Sequence, residues 1–155
     1  MDRDQQSTRI EAVSAADPRA QECIDAYFAE LNERFPDGFT VAEETKVAEF
    51  LPPSGVLLLV RIGEEAAGIA ALKFREDYSE VKRMWIAPEH RGRGLGRMLL
   101  SRLEDESIAA GFRLIRLDTS KYLPEAGRLY DRTGYTRIPD YNGNPYAHAW
   151  YEKTL

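Results

Sequence analysis

The chain has a single cysteine in 155 residues, Cys23, so no internal disulfide can form and no zinc cluster can be assembled from thiolates. Histidine is almost as scarce. His90 and His148 are the only two and stand in different contexts, so no catalytic metal is expected. Basic charge is in deficit as well: 21 Lys and Arg against 26 Asp and Glu give a formal net charge of −5. A nucleic-acid partner is therefore not expected, because neutralising phosphates needs a basic face, and a cationic substrate suits the balance better. Long hydrophobic runs are missing too. Val56–Val60 is far too short to span a bilayer, and the opening MDRDQQSTR has no apolar centre of a leader. The expectation is a cytoplasmic protein with no membrane partner. Internal repeats, linkers and low-complexity segments are also lacking.

The remaining composition is that of a folded domain. Hydrophobic residues make up 43% and charged residues 30%, enough apolar material for one core without staples. Residues 1–155 read as one domain, with 1–7 a frayed end. Thr8–Val13 reads as a strand, and Asp17-Pro18 as a helix start, a capping side chain followed by proline in the first turn. Ala20, Cys23, Ile24, Tyr27, Phe28, Leu31 and Phe35 follow at helical spacing, up to Pro36-Asp37-Gly38. A shorter helix is expected over Val41–Phe50, closed by Pro52-Pro53.

From Val56 the period changes. VLLLVRI, the turn Gly63-Glu64-Glu65 and AAGIAALKF read as a hairpin, and residues 75–79 turn the chain into a further strand, Val81–Ile86. Leu95, Met98, Leu99 and Leu103 mark the buried stripe of another helix, which Gly111 ends. Phe112–Asp118 is a strand reached across that helix, hence parallel to Val81–Ile86. A last helix runs from Pro124 through Arg132 to Gly134. Tyr135–Ile138, the turn Asn142-Gly143-Asn144-Pro145 and Tyr146–Thr154 make the final hairpin. This order describes an α+β fold, with a mixed, mostly antiparallel sheet flanked by helices.

The chain is organised around Val81–Gly96, VKRMWIAPEHRGRGLG, where a strand leads through a turn into a basic glycine loop and a helix start. Such a helix start leaves N–H groups without partners and carries partial positive charge. Gly92, Gly94 and Gly96 let a diphosphate approach the main chain, and Arg91, Arg93 and Arg97 can add charged hydrogen bonds. No GxxxxGK[ST] run exists, and a G-x-G-x-x-G fingerprint would need glycine where Arg97 stands. Arg91, Gly94 and Gly96 fit [Q/R]-x-x-G-x-[G/A] instead. That pattern, behind MWIAPEHRG and ahead of an LL-containing helix, resembles the acyl-CoA-binding motif of the GNAT (GCN5-related N-acetyltransferase) family. PEAGRLYDRTGY resembles the family's second signature, so the likeness covers about the C-terminal half.

The resemblance implies a GNAT-like fold whose two parallel strands part around the pantetheine arm. It also implies acetyl-CoA as acetyl donor, with no metal, and direct transfer to the primary amine of a small molecule. Main-chain amides of Met84, Trp85 and Ile86 would hold pantetheine and the acetyl oxygen, and Leu95 would join the loop residues around the cofactor. Met84, Trp85 and Ile86 also suit an ordinary buried strand. Tyr130 matches the family's general acid beside the sulfur, or else packs against the sheet. Glu80 matches a glutamate that takes the amine proton; burial would raise its pKa and make it a better base, whereas a solvated turn charge would do nothing of the kind. His148 is a second candidate for the base or for substrate contact. Glu30, Glu33 and Arg34 face the acceptor groove on this reading, or Glu30 and Arg34 form an i, i+4 pair on an exposed helix face. Leu123 stands where many members carry an asparagine that contacts CoA. Two rival functions remain open: an acyl-CoA-binding module without turnover, and a dinucleotide oxidoreductase with Asp118 on a ribose. A monomer and a homodimer are both compatible with the sequence.

Overall fold

The computed structural model describes residues 7–40 and 50–155. The helix expected over Val41–Phe50 lies outside the described residues except for Phe50, and so does the frayed end except for Ser7, whose carbonyl accepts a hydrogen bond from Gly63 N. Seven strands form one sheet in the order β1-β2-β3-β4-β5-β7-β6. They are β1 (Thr8–Ala12), β2 (Gly55–Ile62), β3 (Glu65–Phe74), β4 (Ser79–Ile86), β5 (Leu114–Thr119), β6 (Thr136–Ile138) and β7 (Ala149–Thr154). The described helices are α1 (Pro18–Arg34), α2 (Leu95–Ala109) and α3 (Pro124–Arg132). All pairings are antiparallel except β4 with β5, so the expected α+β fold with one parallel pair is what forms. Among the described residues no helix is long and apolar enough to cross a membrane.

The continuous apolar run of β2 follows from a sheet covered on both sides. Leu57 and Leu59 face α1 with Ala20, Cys23 and Ile24, while Leu58 and Val60 face α2 with Leu99, Leu100 and Leu103. Asp17 caps α1 by accepting Arg19 N at 2.9 Å. On α2 the buried face is Leu95, Leu99, Leu100, Leu103 and Ser107; Met98, expected in that stripe, is 46% exposed. Each i, i+4 step rotates the stripe by about 40°, which carries it away from position 98. The return strand starts at Ala149 rather than Tyr146, because Asn144 Oδ1 accepts Tyr146 N and Asn144 O accepts Ala147 N, bending that stretch into a turn.

Two backbone features shape the middle of the sheet. Ile69 faces Trp85 and Ala71 faces Lys82, so Arg83 and Met84 together oppose Ala70 in a bulge, and Arg83 takes a left-handed φ of 53°. The parallel pair has already separated before that point: β4 and β5 are in register only at Ser79 with Ile115 and Glu80 with Arg116. Gly68 lies against the outer part of β4, where a Cβ would come within 2.7 Å of Trp85 O and Ile86 Cδ1.

Candidate active site

The gap between β4 and β5 opens two cavities that meet at its centre. The first, of about 580 Å³, is lined by Met84, Trp85 and Ile86 on one side and by the loop at 91–97 on the other. The second, of about 410 Å³, takes in Lys82, Arg83, Asp118 and the aromatic residues Phe28, Phe35, Phe39 and Tyr146. Tyr27, Leu31, Met84, Leu123, Ala126 and Tyr130 border both.

In the first cavity the glycine loop presents open main chain. Gly92 and Gly94 both have φ of +80°, a conformation that side chains resist, and a Cβ on either would meet nothing within 4 Å. Gly94 is the N-cap of α2, and its carbonyl accepts Met98 N. Arg91 N donates to Pro88 O, but the amides of residues 92–97 find no protein acceptor among the described residues. Those donors, the dipole of α2 and the open space suit a diphosphate. Gly96 has a different reason: its Cβ would press on Leu129 at 3.4 Å, so it lets α3 pack against α2. Arg97 borders the cavity and Arg93 is exposed beside it.

Arg91 departs from expectation. Its Nε donates to Ile86 O at 2.9 Å and its Nη2 to Glu30 at 2.8 Å, which ties the loop to β4 and α1 instead of directing the guanidinium at a ligand. Glu30 also accepts Trp85 Nε1 at 3.1 Å and pairs with Arg34 at 2.9 Å, the i, i+4 pair. Burial works to raise the Glu30 pKa, but hydrogen bonds from Arg91 and Trp85 outweigh it and hold the carboxyl below its usual range. Arg34 continues to Glu125 at 2.7 Å and to Tyr122 O at 3.1 Å. Glu30 thus borders the first cavity and not the second, and Arg34 braces α1 to α3.

Tyr130 sits where the cavities join. It is 5% exposed, and its hydroxyl has only a weak acceptor, Met84 Sδ at 3.9 Å. Burial, with the nearby Tyr27 and Asp118, pushes its pKa well above the usual phenol value, so the proton stays on oxygen.

Glu80 is buried as expected, yet its chemistry is the reverse of the expected base. Arg75 Nε and Nη2 donate to Oε1 at 3.1 and 2.9 Å, while Tyr141 OH and Asn142 Nδ2 donate to Oε2 at 2.8 and 3.0 Å. Lys82 Nζ lies 3.4 Å from Oε2. Burial acts to raise its pKa, but Lys82 and the hydrogen bonds of Tyr141, Asn142 and Arg75 prevail and hold it below the ordinary value. It borders neither cavity. His148 is exposed, accepts Lys121 N at Nδ1 (3.3 Å) and lies 3.2 Å from Ser120 Oγ, also outside both linings. Asp118 is in the second cavity, away from the glycine loop, which removes it as a ribose ligand beside those glycines. The Cys23 thiol is buried, and burial pushes its pKa up to about 11, so it is no nucleophile at neutral pH.

Sequence reasoning missed Asn142, which links Glu80 on β4 to Asp118 on β5. Its Nδ2 donates to Asp118 Oδ2 at 2.6 Å as well as to Glu80, and its Oδ1 accepts Trp150 Nε1 at 2.9 Å. In the sequence it looks like one more turn residue. Among the described residues one group has metal-ligand spacing, Glu65, Glu89 and His90, whose ligand atoms lie within 4.8 Å of one another. Two of the three are exposed, and His90 Nε2 lies 3.2 Å from a Glu65 carboxylate oxygen, while both ring nitrogens are buried without a hydrogen bond.

Comparison with known proteins agrees with this geometry. The model of the acetyltransferase (GNAT) family matches residues 20–135. An IAA acetyltransferase of Azospirillum brasilense is 41% identical over 68 residues, 44% of each chain; this chain spans roughly half the length of the curated relatives it matches. A candidate acyl-CoA N-acyltransferase from Klebsiella pneumoniae superposes with a TM-score of 0.79 at 27% identity, covering 97% of this chain and 99% of the other. A GNAT acetyltransferase of Elizabethkingia anophelis, solved with acetyl-CoA bound, superposes with a TM-score of 0.71 at 15% identity, covering 97% and 100%.

Proposed function

We propose acetyl transfer to an amine from one premise: the chain belongs to the acetyltransferase (GNAT) family. The donor is acetyl-CoA and the acceptor a primary amine of a small molecule. The observation that carries this reading is the junction of the two cavities at Met84 and Tyr130, which gives a donor and an acceptor separate approaches to one point.

The amides of residues 92–97 bind the diphosphate, and the edge of β4 at Met84–Ile86, unpaired with β5, lies along the pantetheine arm and can donate to the acetyl oxygen. Acetyl-CoA supplies the thioester carbon that the amine attacks. Tyr130, still protonated and without a strong acceptor, gives its proton to the departing sulfur. Attack is direct, because Cys23 is buried in the core beneath α1 and protonated. The test is a thiol-release screen of amines with acetyl-CoA, alongside thermal unfolding with and without the donor. Stabilisation by acetyl-CoA and release of CoA with at least one amine are expected. Stabilisation without release from any amine would leave a binding module only.

A further inference from the structure

Among the described residues the acceptor side of the gap holds one carboxylate that lines its cavity, and that carboxylate is not Glu80. Asp118 lies on β5 beyond its last pairing with β4, at Arg116, and it borders the cavity with a 13% exposed side chain. Its oxygens accept Asn144 Nδ2 at 3.2 Å and Asn142 Nδ2 at 2.6 Å, two neutral donors for four lone pairs. Lys82 Nζ is nearer to Glu80 (3.4 Å) than to Asp118 (3.9 Å). The opposite wall is aromatic: Phe39 lies 4.4 Å from Tyr146 and 5.6 Å from Phe35, centroid to centroid, and stacks with Phe28 at 5.8 Å.

We propose that Asp118 is the proton acceptor for the attacking amine, and that the amine is borne on an aromatic body packed against the wall formed by Phe28, Phe35, Phe39 and Tyr146. This rests on the acetyl-transfer reading above. Among the described residues Arg75 and Lys82 already balance Glu80 and Asp118, so an entering ammonium is surplus charge to this cluster. The neutral amine is favoured as a result. The ammonium gives one proton to Asp118, and the freed lone pair forms the C–N bond to the thioester carbon. The C–S bond breaks, the sulfur keeps the electron pair and takes the Tyr130 proton, and the extra proton on the new amide nitrogen returns to Tyr130. Asp118 passes its proton to water, so one proton is released per turnover. Glu80 is a positioning residue: through Asn142 it holds the loop that carries Asn144–Ala147 over the cavity.

The groups facing Asp118 are Lys82 and Glu80 on β4, Tyr27 on α1, Tyr130 on α3, and Tyr141 with Asn142 and Asn144 on the β6–β7 loop. The test compares phenethylamine with spermidine in the full chain, by calorimetric binding in the presence of CoA and by pH profiles of turnover. Phenethylamine is expected to bind at least tenfold more tightly, as judged by Kd. Asp118→Asn should lower kcat at least a hundredfold and flatten the acid limb of the profile, whereas Glu80→Gln should keep that limb and mainly raise KM. Should Asp118→Asn fail to fold, Asp118→Glu, which keeps the carboxylate, is expected to shift the limb, and Phe39→Ser to abolish the preference for phenethylamine. Turnover of spermidine without binding of phenethylamine would overturn the proposal and leave acetyl transfer intact. Phenethylamine binding that depends on Phe39, with no amine turned over, would support the aromatic site and sink the transfer reading. An acid limb that survives Asp118→Asn but disappears in Glu80→Gln would overturn the assignment of the base.

Discussion

The two sides of the β4–β5 gap are built in opposite ways. On the side proposed for the diphosphate, the groups on offer are main-chain amides of one continuous loop, with Gly92 and Gly94 at the start of α2. On the acceptor side they are side chains from α1, β4, β5 and the β6–β7 loop, collected by Asn142, Glu80 and Asp118. Backbone recognition needs only a local conformation, which glycine spacing encodes. Side-chain recognition needs distant segments to arrive together, which is a property of the whole fold.

If the two sides are separable, substitutions should act on one and spare the other. The largest effect is expected from Gly94→Glu, which puts a carboxylate where the proposed diphosphate would lie; acetyl-CoA affinity should fall at least a hundredfold, about 2.7 kcal/mol, by calorimetry, and the positive φ should cost the free protein about 1 kcal/mol of stability, read as a lowered unfolding midpoint. Tyr130→Phe comes next. Turnover should drop about a hundredfold while the acetyl-CoA Kd stays within about twofold, as steady-state kinetics and titration would show; equal turnover would reduce Tyr130 to packing against Tyr135 and Tyr151. Asn142→Ala should raise KM for the amine about tenfold, about 1.4 kcal/mol, and leave acetyl-CoA binding alone, because it frees the β6–β7 loop without touching the glycines. A parallel loss of donor affinity would break the separation.

The smallest effect concerns pH. The Glu80 carboxyl is held below its ordinary pKa of 4.5, so its stabilising contribution is complete above about pH 4.5 and disappears as the pH falls through the lowered value. Glu30 behaves in the same direction. Denaturant unfolding of the wild type should therefore weaken steeply on acidification, and Glu80→Gln should make that dependence shallower while lowering stability at neutral pH.

Much of the fold was legible because its signals are local. The apolar run of β2, the Asp17-Pro18 start of α1 and the glycines before α2 each announce their own conformation. The loop at 91–97 could be placed for the same reason. What escaped was determined by pairing. Nothing in VKRMWI marks Arg83 as the residue that bulges, since its left-handed φ answers to the register with β3. Glu80 and Asp118 are both carboxylates on strands of the parallel pair, and it takes the arrival of Arg75 from the β3–β4 turn and of Tyr141 and Asn142 from the β6–β7 loop to fill one with donors while the other lines a cavity. Arg91 sits in the motif as a cation for phosphate, yet Glu30, sixty-one positions away, claims its guanidinium.

The grip of the open amides on a diphosphate is tested most directly by the backbone amide resonances of the protein titrated with acetyl-CoA. The signals of residues 92–97 should move furthest and become protected from exchange with solvent, as donors do on gaining an acceptor. Unmoved signals there, with the large shifts elsewhere on the molecule, would contradict the assignment of this loop as the coenzyme's anchor.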